Sequence, residues 1–243
     1  VLSDKENFDN NHAIPKKIWT FWDSDEIPSF IEKCIQTWKR HNPDFEIIIL
    51  NNNNYHYYLP ELDKSKLKHV NDVRHFSDIL RVHVLEKYGG IWSDASIICY
   101  DSYDWIIELQ KEKDLEFIGY WINNDNSDSP VIENWFFACV AGSNMIVDWK
   151  NSLMESQYYS NKSDYILYLQ DNADLSNVSS PDYLWMHSAL QKCLQENKGK
   201  YKYEVFDSES GPFKFAFEND WKEDGMLDPL IECNRQNNCK EKY

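Results

Sequence analysis

The sequence predicts an α/β domain, a parallel or mixed sheet with helices on its faces. Three observations predict it. Short runs of β-branched and aromatic residues recur along the chain, each too short to be a helix. Between several of them lie longer segments whose apolar residues repeat at helical spacing. No linker, internal repeat or Gly/Ser-rich boundary divides the 243 residues, a length that one large domain fills. The expected organisation is a single domain over 1–243, with a polar stub at 1–13 and a polar tail from about 222 to 243.

Taken in order, Lys17 to Trp22 reads as a buried first strand, entered through Ile14 and Pro15 and ended by Asp23, Ser24 and Asp25. From Ser29 to His41, Phe30, Ile31, Cys34, Ile35 and Trp38 recur at helical spacing, and Ser29 with Glu32 forms a capping box. Asn42 and Pro43 stop this helix. Glu46 to Leu50 is a continuous β-branched run, the mark of a strand covered on both faces. Asp72 to Tyr88 is the second strong helix, closed by Gly89 as its C-terminal cap. Ile91 to Tyr100 follows as a strand interrupted at Asp94, Ala95 and Ser96. Further strands are expected at Phe117 to Trp121 and Trp135 to Ala141, and helices at Met145 to Met154, with Asn144 as N-cap, and Tyr183 to Leu194.

Lys and Arg number 25 against 41 Asp and Glu, a formal charge of −16 with a pI near 4.8. Such a balance opposes binding to nucleic-acid phosphates, where affinity comes largely from Lys and Arg displacing counterions. No apolar run approaches the ~18 residues needed to span a bilayer, and the start lacks a signal-peptide core. The expectation is a chain without a transmembrane segment, cytoplasmic unless an N-terminal anchor was removed, in which case it is lumenal; peripheral membrane association is left open. Cysteines 34, 99, 139, 193, 233 and 239 show no C-x-x-C pair and no zinc spacing, and read mostly as buried thiols of a reducing compartment.

The segment from Asp72 to Ser96 departs most from simple folding needs. Arg74, Asp78 and Arg81 fall at i, i+4 and i+7, one face of the helix, with Val73, Phe76, Leu80 and Val84 on the other. Alone, that pattern equally describes a solvated face with ordinary ion pairs. Asp94 adds to it, because a lone carboxylate within an apolar strand is costly unless paired, hydrogen-bonded or metal-bound. Open α/β sheets bind ligands outside the carboxyl ends of their strands, and Asp94 lies at such an end.

His75, Phe76, Ser77, Asp78, Ile79, Leu80 and Arg81, followed by Tyr88, Gly89, Gly90, Ile91, Trp92, Ser93, Asp94, Ala95 and Ser96, resemble the S-D-x-x-R…Y-G-G-x-x-x-D-x-D signature of glycosyltransferase family 32. The ending Asp94, Ala95, Ser96 is similar to its capsular polysaccharide synthesis branch. Ile14 to Trp22, Cys34 to Trp38 with Asn42, Pro43 and Asp44, then Glu133 to Phe136 and Tyr183 to His187 extend the resemblance to about position 190.

The resemblance implies a GT-A-type fold, a Rossmann-like mixed sheet flanked by helices on both faces. It implies sugar transfer from a nucleotide-sugar, a UDP- or GDP-sugar, to a glycan or polysaccharide acceptor, with retention of anomeric configuration. Trp19, Thr20, Phe21 and Trp22 would border the nucleotide base, some of them as core rather than contact residues. Mn²⁺ or Mg²⁺ would be held at Asp94 and Ser96, where Ser96 stands in place of the family's second Asp, with Asp101 or another acid as help. Asp94, Asp78 and Arg81 would be the catalytic set, the last two bonding the donor sugar and Arg81 neutralising phosphate. Asn134, Trp135 and His187 would line the donor or acceptor side, and Gly211, Pro212, Phe213 and Lys214 would close as a lid. Two rivals stand beside this reading. One is a sugar or nucleotide-sugar binding protein without turnover, the other a metal-dependent phosphoesterase using Asp94, Asp101 and Asp104.

Overall fold

The computed structural model describes residues 12–70, 72–122, 128–218 and 220. Nearly all of the polar stub, the whole tail from 222 and its Cys233 and Cys239 lie outside them. The order of elements is β1 (Lys17–Phe21), α1 (Ser29–His41), β2 (Glu46–Leu50), α2 (Tyr55–Tyr58), α3 (Val73–Tyr88), β3 (Gly90–Ser93), α4 (Asp104–Lys113), β4 (Phe117–Ile122), β5 (Val131–Cys139), α5 (Asn144–Glu155), α6 (Lys162–Asn172), α7 (Trp185–Glu196), β6 (Tyr203–Asp207) and α8 (Lys214–Glu218).

The strands form one mixed sheet in the order β2-β1-β3-β5-β4-β6. β1 runs parallel to β2 and β3, and β4 parallel to β6, while β5 is antiparallel to both its neighbours. Strand side chains alternate between faces, so adjacent residues enter different cores. Ile18, Ile91, Ile118 and Ala138 pack with Ile31, Ile35 and Trp38 of α1 and Ile106 of α4. Trp19, Trp92, Phe117 and Phe137 pack on the opposite face with Ile79 of α3, Trp149 of α5 and Trp185 of α7. Fully burying such a side chain contributes roughly 1.5–3 kcal/mol, which makes these two layers the main support of the sheet. The expected α/β sheet with helices on both faces is thus the observed one.

Local differences have physical causes. The Ser29 and Glu32 capping box is not made: Pro28 occupies the cap position of α1, no side chain bonds there, and Glu32 N–H donates to the Pro28 carbonyl. β2 lies at the sheet's edge, so Ile47 and Ile49 are only half-buried. β5 begins at Val131, four residues before the expected start, and Ser143 rather than Asn144 caps α5, its hydroxyl accepting from Ile146 N–H. The strand after Gly89 ends at Ser93; Ile97, Ile98 and Cys99 do not continue it. The four described cysteines, Cys34, Cys99, Cys139 and Cys193, are free and buried.

The passage from α3 into β3 has room for nothing beyond glycine. Gly89 and Gly90 have φ of +63° and +105°. A Cβ on Gly89 would lie 2.7 Å from the Ala141 nitrogen, and one on Gly90 2.8 Å from the Lys17 carbonyl oxygen. This close turn drops β3 beside β1 and aims its carboxyl end along the flank of α3.

Candidate active site

The loop leaving β3 is held by helix α1. Cys34 Sγ donates to the Ser96 carbonyl at 3.4 Å, Trp38 Nε1 to the Ile97 carbonyl at 2.7 Å, and Cys99 N–H to Thr37 Oγ1 at 2.8 Å. Asn42 completes the clamp, its Oδ1 accepting from Tyr103 N–H at 2.6 Å. On the other side Asp94 N–H donates to the Trp135 carbonyl at 2.8 Å. The Cys34, Thr37, Trp38 and Asn42 pattern, which the sequence marks as part of a helix, its stop and the family resemblance, is therefore what positions the loop carrying Asp94 and Ser96.

Above this loop lies an open, solvent-facing cleft. Asp78, Arg81, Asp94, Asn134 and His187 line it, all of them expected from the sequence. Arg81 is the hub. It is 4% exposed, and its Nη2 lies 3.3 Å from Asp78 Oδ1 and 3.5 Å from Asp94 Oδ1. The rest of the guanidinium donates to the Ser77 carbonyl and hydroxyl and to the Asn134 carbonyl, and the group stacks 4.9 Å over the Trp92 ring. A cation so fully engaged acts mainly by fixing the two carboxylates. Asp78 is bound further by Trp185 Nε1 at 2.7 Å and Asn134 Nδ2 at 3.2 Å.

Asp94 is the carboxylate open to the cleft, with 38% of its side chain exposed. Its Oδ1 accepts from Trp92 Nε1 at 2.8 Å. Packing around the group pushes its pKa above the ordinary carboxylate value; Arg81 and the Trp92 donor oppose the shift, and Asp78 and Glu133 add to it. The site therefore keeps a carboxylate that is costly to ionise at the mouth of β3, a pattern more typical of function than of stability.

The nearby rim brings residues not named for the site beforehand: Arg74, His75, Tyr183, Leu184 and Met186. The i, i+4, i+7 spacing had already placed Arg74 on the face of Asp78 and Arg81. It pairs with Asp72 and lies 5.4 Å over the Tyr183 ring, and its guanidinium holds the Asp72 carboxyl well below the usual range. Burial and the ammonium of Lys162 lower the pKa of His75.

Other expected residues lie elsewhere. Trp19 is fully buried, its Nε1 donating to the Gly89 carbonyl and its ring stacked on Tyr88, so it is a core residue and offers no face to a base. Thr20 and Phe21 are also buried, and Trp22, half-buried, packs at the edge of the α1-side core. Trp135 is not part of the cleft wall; its ring stacks on Tyr120 at 5.4 Å and meets Phe213 at 5.0 Å. The Gly211 to Lys214 stretch thus rests against Trp135 as a turn leading into α8. Ser96 is exposed, its carbonyl taken by Cys34. Asp104 is bound to Lys16 and Ser102.

Among the described residues no group of three or more His, Cys, Asp or Glu side chains could hold a metal ion. Asp94 and Ser96 offer one carboxylate and one hydroxyl. Mg²⁺ is commonly held by one or two carboxylates together with substrate phosphates, a mode that the Asp94 carboxylate fits by its chemistry, whereas Ser96 is not among the residues lining the cleft. No helix among the described residues is long and apolar enough to cross a membrane.

The solved structure of PaToxG glycosyltransferase is similar over 76% of this chain and 78% of its own, at 14% identity and a TM-score of 0.42. That of bifunctional IspDF from Campylobacter jejuni is similar over 63% of this chain and 47% of its own, at 9% identity and a TM-score of 0.33. Likeness at this level bears on neither activity nor ligand. No curated protein sequence matches the chain. The sequence profile of one family does match, over residues 2–224, nearly its whole length: the chain belongs to the capsular polysaccharide synthesis protein family.

Proposed function

We propose that the chain is a glycosyltransferase that moves a sugar from a UDP- or GDP-sugar to a glycan acceptor in the synthesis of a surface polysaccharide. The observation that carries the reading is the cleft in which Arg81 joins Asp78 to Asp94, at the carboxyl end of β3, in a member of the capsular polysaccharide synthesis family. Acidic side chains with ordered hydrogen-bond donors suit sugar hydroxyls, which need acceptors and donors together. A GT-A fold and a retaining outcome belong to this reading as well.

In the reaction the bond between the sugar's C1 and the diphosphate oxygen breaks, the pair of electrons leaves with the nucleoside diphosphate, and the acceptor hydroxyl oxygen bonds to C1 while its proton passes to the departing diphosphate oxygen. Asp78, fixed by Trp185, Asn134 and Arg81, has one carboxylate lone pair in reserve and orients the donor sugar. Asp94 faces the cleft and accepts from sugar or ribose hydroxyls. Arg81 keeps both carboxylates in place, and its charge lowers the cost of ionising Asp94. Mn²⁺ or Mg²⁺, when bound, supplies positive charge to the leaving diphosphate; Asp94 and Ser96 are the residues that would hold it. The hydroxyl at position 96 also favours a second reading, a nucleotide-sugar binding protein without turnover.

The test is a panel of UDP- and GDP-sugars with Mn²⁺, followed by heat of binding, hydrolysis and transfer to oligosaccharides. Turnover of one donor supports the transferase. Tight donor binding without turnover supports the binding protein, and no binding by any donor removes both.

A further inference from the structure

Of the residues lining the cleft, one has a buried polar atom without a partner: His187, whose Nδ1 meets no donor or acceptor. His187 stands in the first turn of α7 and is 4% exposed. Its other nitrogen, Nε2, lies 3.5 Å from Glu133 Oε2, and the Glu133 side chain is 10% exposed. In a neutral imidazole one nitrogen donates and the other accepts, and the carboxylate beside Nε2 favours the proton there. That leaves Nδ1 as a buried acceptor without a partner, on a residue that lines the cleft. Leaving such an atom unsatisfied is a standing cost, removed when a ligand brings an O–H.

We propose that His187, oriented by Glu133, reads a hydroxyl of the bound sugar by accepting its hydrogen bond at Nδ1. The proposal rests on the transferase reading only in taking the ligand to be a sugar. It makes His187 a specificity-determining residue: a sugar lacking the matching hydroxyl leaves Nδ1 unpaired again. Losing one hydrogen bond to a buried partner weakens binding about 5- to 150-fold.

The experiment is ¹⁵N-histidine NMR on the full chain at pH 7.5, with the His187 signals assigned from His187→Gln. The probes are methyl glucoside, methyl galactoside and methyl mannoside, UDP- and GDP-sugars, and UDP and GDP alone. The expected result is an Nε2-protonated ring whose Nδ1 signal moves with at least one sugar-bearing probe and not with UDP or GDP. His187→Phe should then reduce discrimination between that sugar and its deoxy analogue to less than threefold, with affinity for the bare nucleotide unchanged. A proton on Nδ1 in the free protein, or movement under UDP or GDP alone, overturns the proposal. So does a still Nδ1 signal while calorimetry registers nucleotide-sugar binding, a result that leaves the transferase standing. A response to glycosides without nucleotide-sugar binding keeps the proposal and removes the transferase. No response to any probe removes both.

Discussion

Replacing Gly90 by alanine should destabilise the fold far more than the same change at Gly142, although both glycines have positive φ. At Gly142, with φ of +68°, nothing lies within 4 Å of a new Cβ, so the variant bears only the strain of an L-residue in that region, about 1–2 kcal/mol. At Gly90, with φ of +105°, the Cβ meets the Lys17 carbonyl oxygen at 2.8 Å, Trp19 Nε1 at 3.1 Å and Lys17 Cβ at 3.2 Å. The first of these is backbone of β1, in the sheet, and cannot swing aside. Strain of about 1–3 kcal/mol and overpacking of about 1–3 kcal/mol then add to roughly 2–6 kcal/mol. For a domain of this size each kcal/mol lowers Tm by about 2–4 °C, so Gly90→Ala should melt roughly 4–24 °C below the parent and Gly142→Ala roughly 2–8 °C below. Urea unfolding followed by circular dichroism gives ΔG, and calorimetry gives Tm. Equal losses at the two sites would refute the claim that close approach of β1, rather than backbone strain alone, demands glycine in the turn before β3.

Three further variants test the charge cluster and the loop beside it. Asp94→Asn should lower transfer about 10²- to 10³-fold, in steady-state assays, the usual cost of losing one preorganised polar group at a reacting centre. Because the Asp94 pKa is raised in the folded protein, the stability linked to this group is present below the unfolded value and lost as pH rises through the folded one. Asp94→Asn should therefore match or exceed the parent's Tm at pH 7.5, with the gap closing toward pH 4. Arg81→Met removes the buried cation and should cost about 3–5 kcal/mol by urea titration. Arg81 holds the Asp94 pKa down, so the deficit of that variant should be larger at pH 8 than at pH 5. Ser96→Asp should reduce the Mn²⁺ concentration needed for half-maximal transfer, and no change would argue that Ser96 is not a ligand position.

Periodicity in the sequence located the helix bearing Asp78 and Arg81 almost to the residue, because a long amphipathic segment closed by a glycine stop has few alternatives; Asp72, expected as its first residue, is its N-cap. Periodicity could not say that the Asp78 and Arg81 part of the polar face is buried. Trp185 of α7 and Asn134 of β5 cover it, and both arrive from more than 50 residues away. Val73, placed with the apolar face, is 41% exposed for the converse reason that it begins the helix outside the packed layer. Ile97 to Cys99 have the composition of a strand but give their backbone to Trp38 and Thr37 of α1, a tertiary choice that no window of sequence contains. Missed elements such as β6 and α6 are marginal by composition. β6 is a partly buried edge strand, Tyr203 to Asp207, and takes its identity from pairing with β4.

The signature residues now separate by task. Gly89 and Gly90 provide the close turn, Trp19 and Trp92 fill the core beneath it, and Cys34, Thr37 and Trp38 clamp the loop beyond it. None of these needs to touch a ligand to be required. What remains along the cleft is Asp94, Asp78, Asn134 and His187, whose Nδ1 is buried without a partner. That remainder is short of cations: Arg81 is fully engaged, and Arg74, the other arginine of the cleft, is at the rim and paired with Asp72. Among the described residues of the cleft, the one arginine that could supply compensating charge to an anionic diphosphate is Arg74, by exchanging its exposed partner, since surface pairs of this kind are worth only about 0–1 kcal/mol and exchange readily; a bound cation is the other source. The dependence of donor affinity on Mn²⁺ should thus be steeper in Arg74→Ala than in the parent, measured by calorimetry with UDP- and GDP-sugars. Unchanged Mn²⁺ dependence would mean that Arg74 does not share the diphosphate's charge.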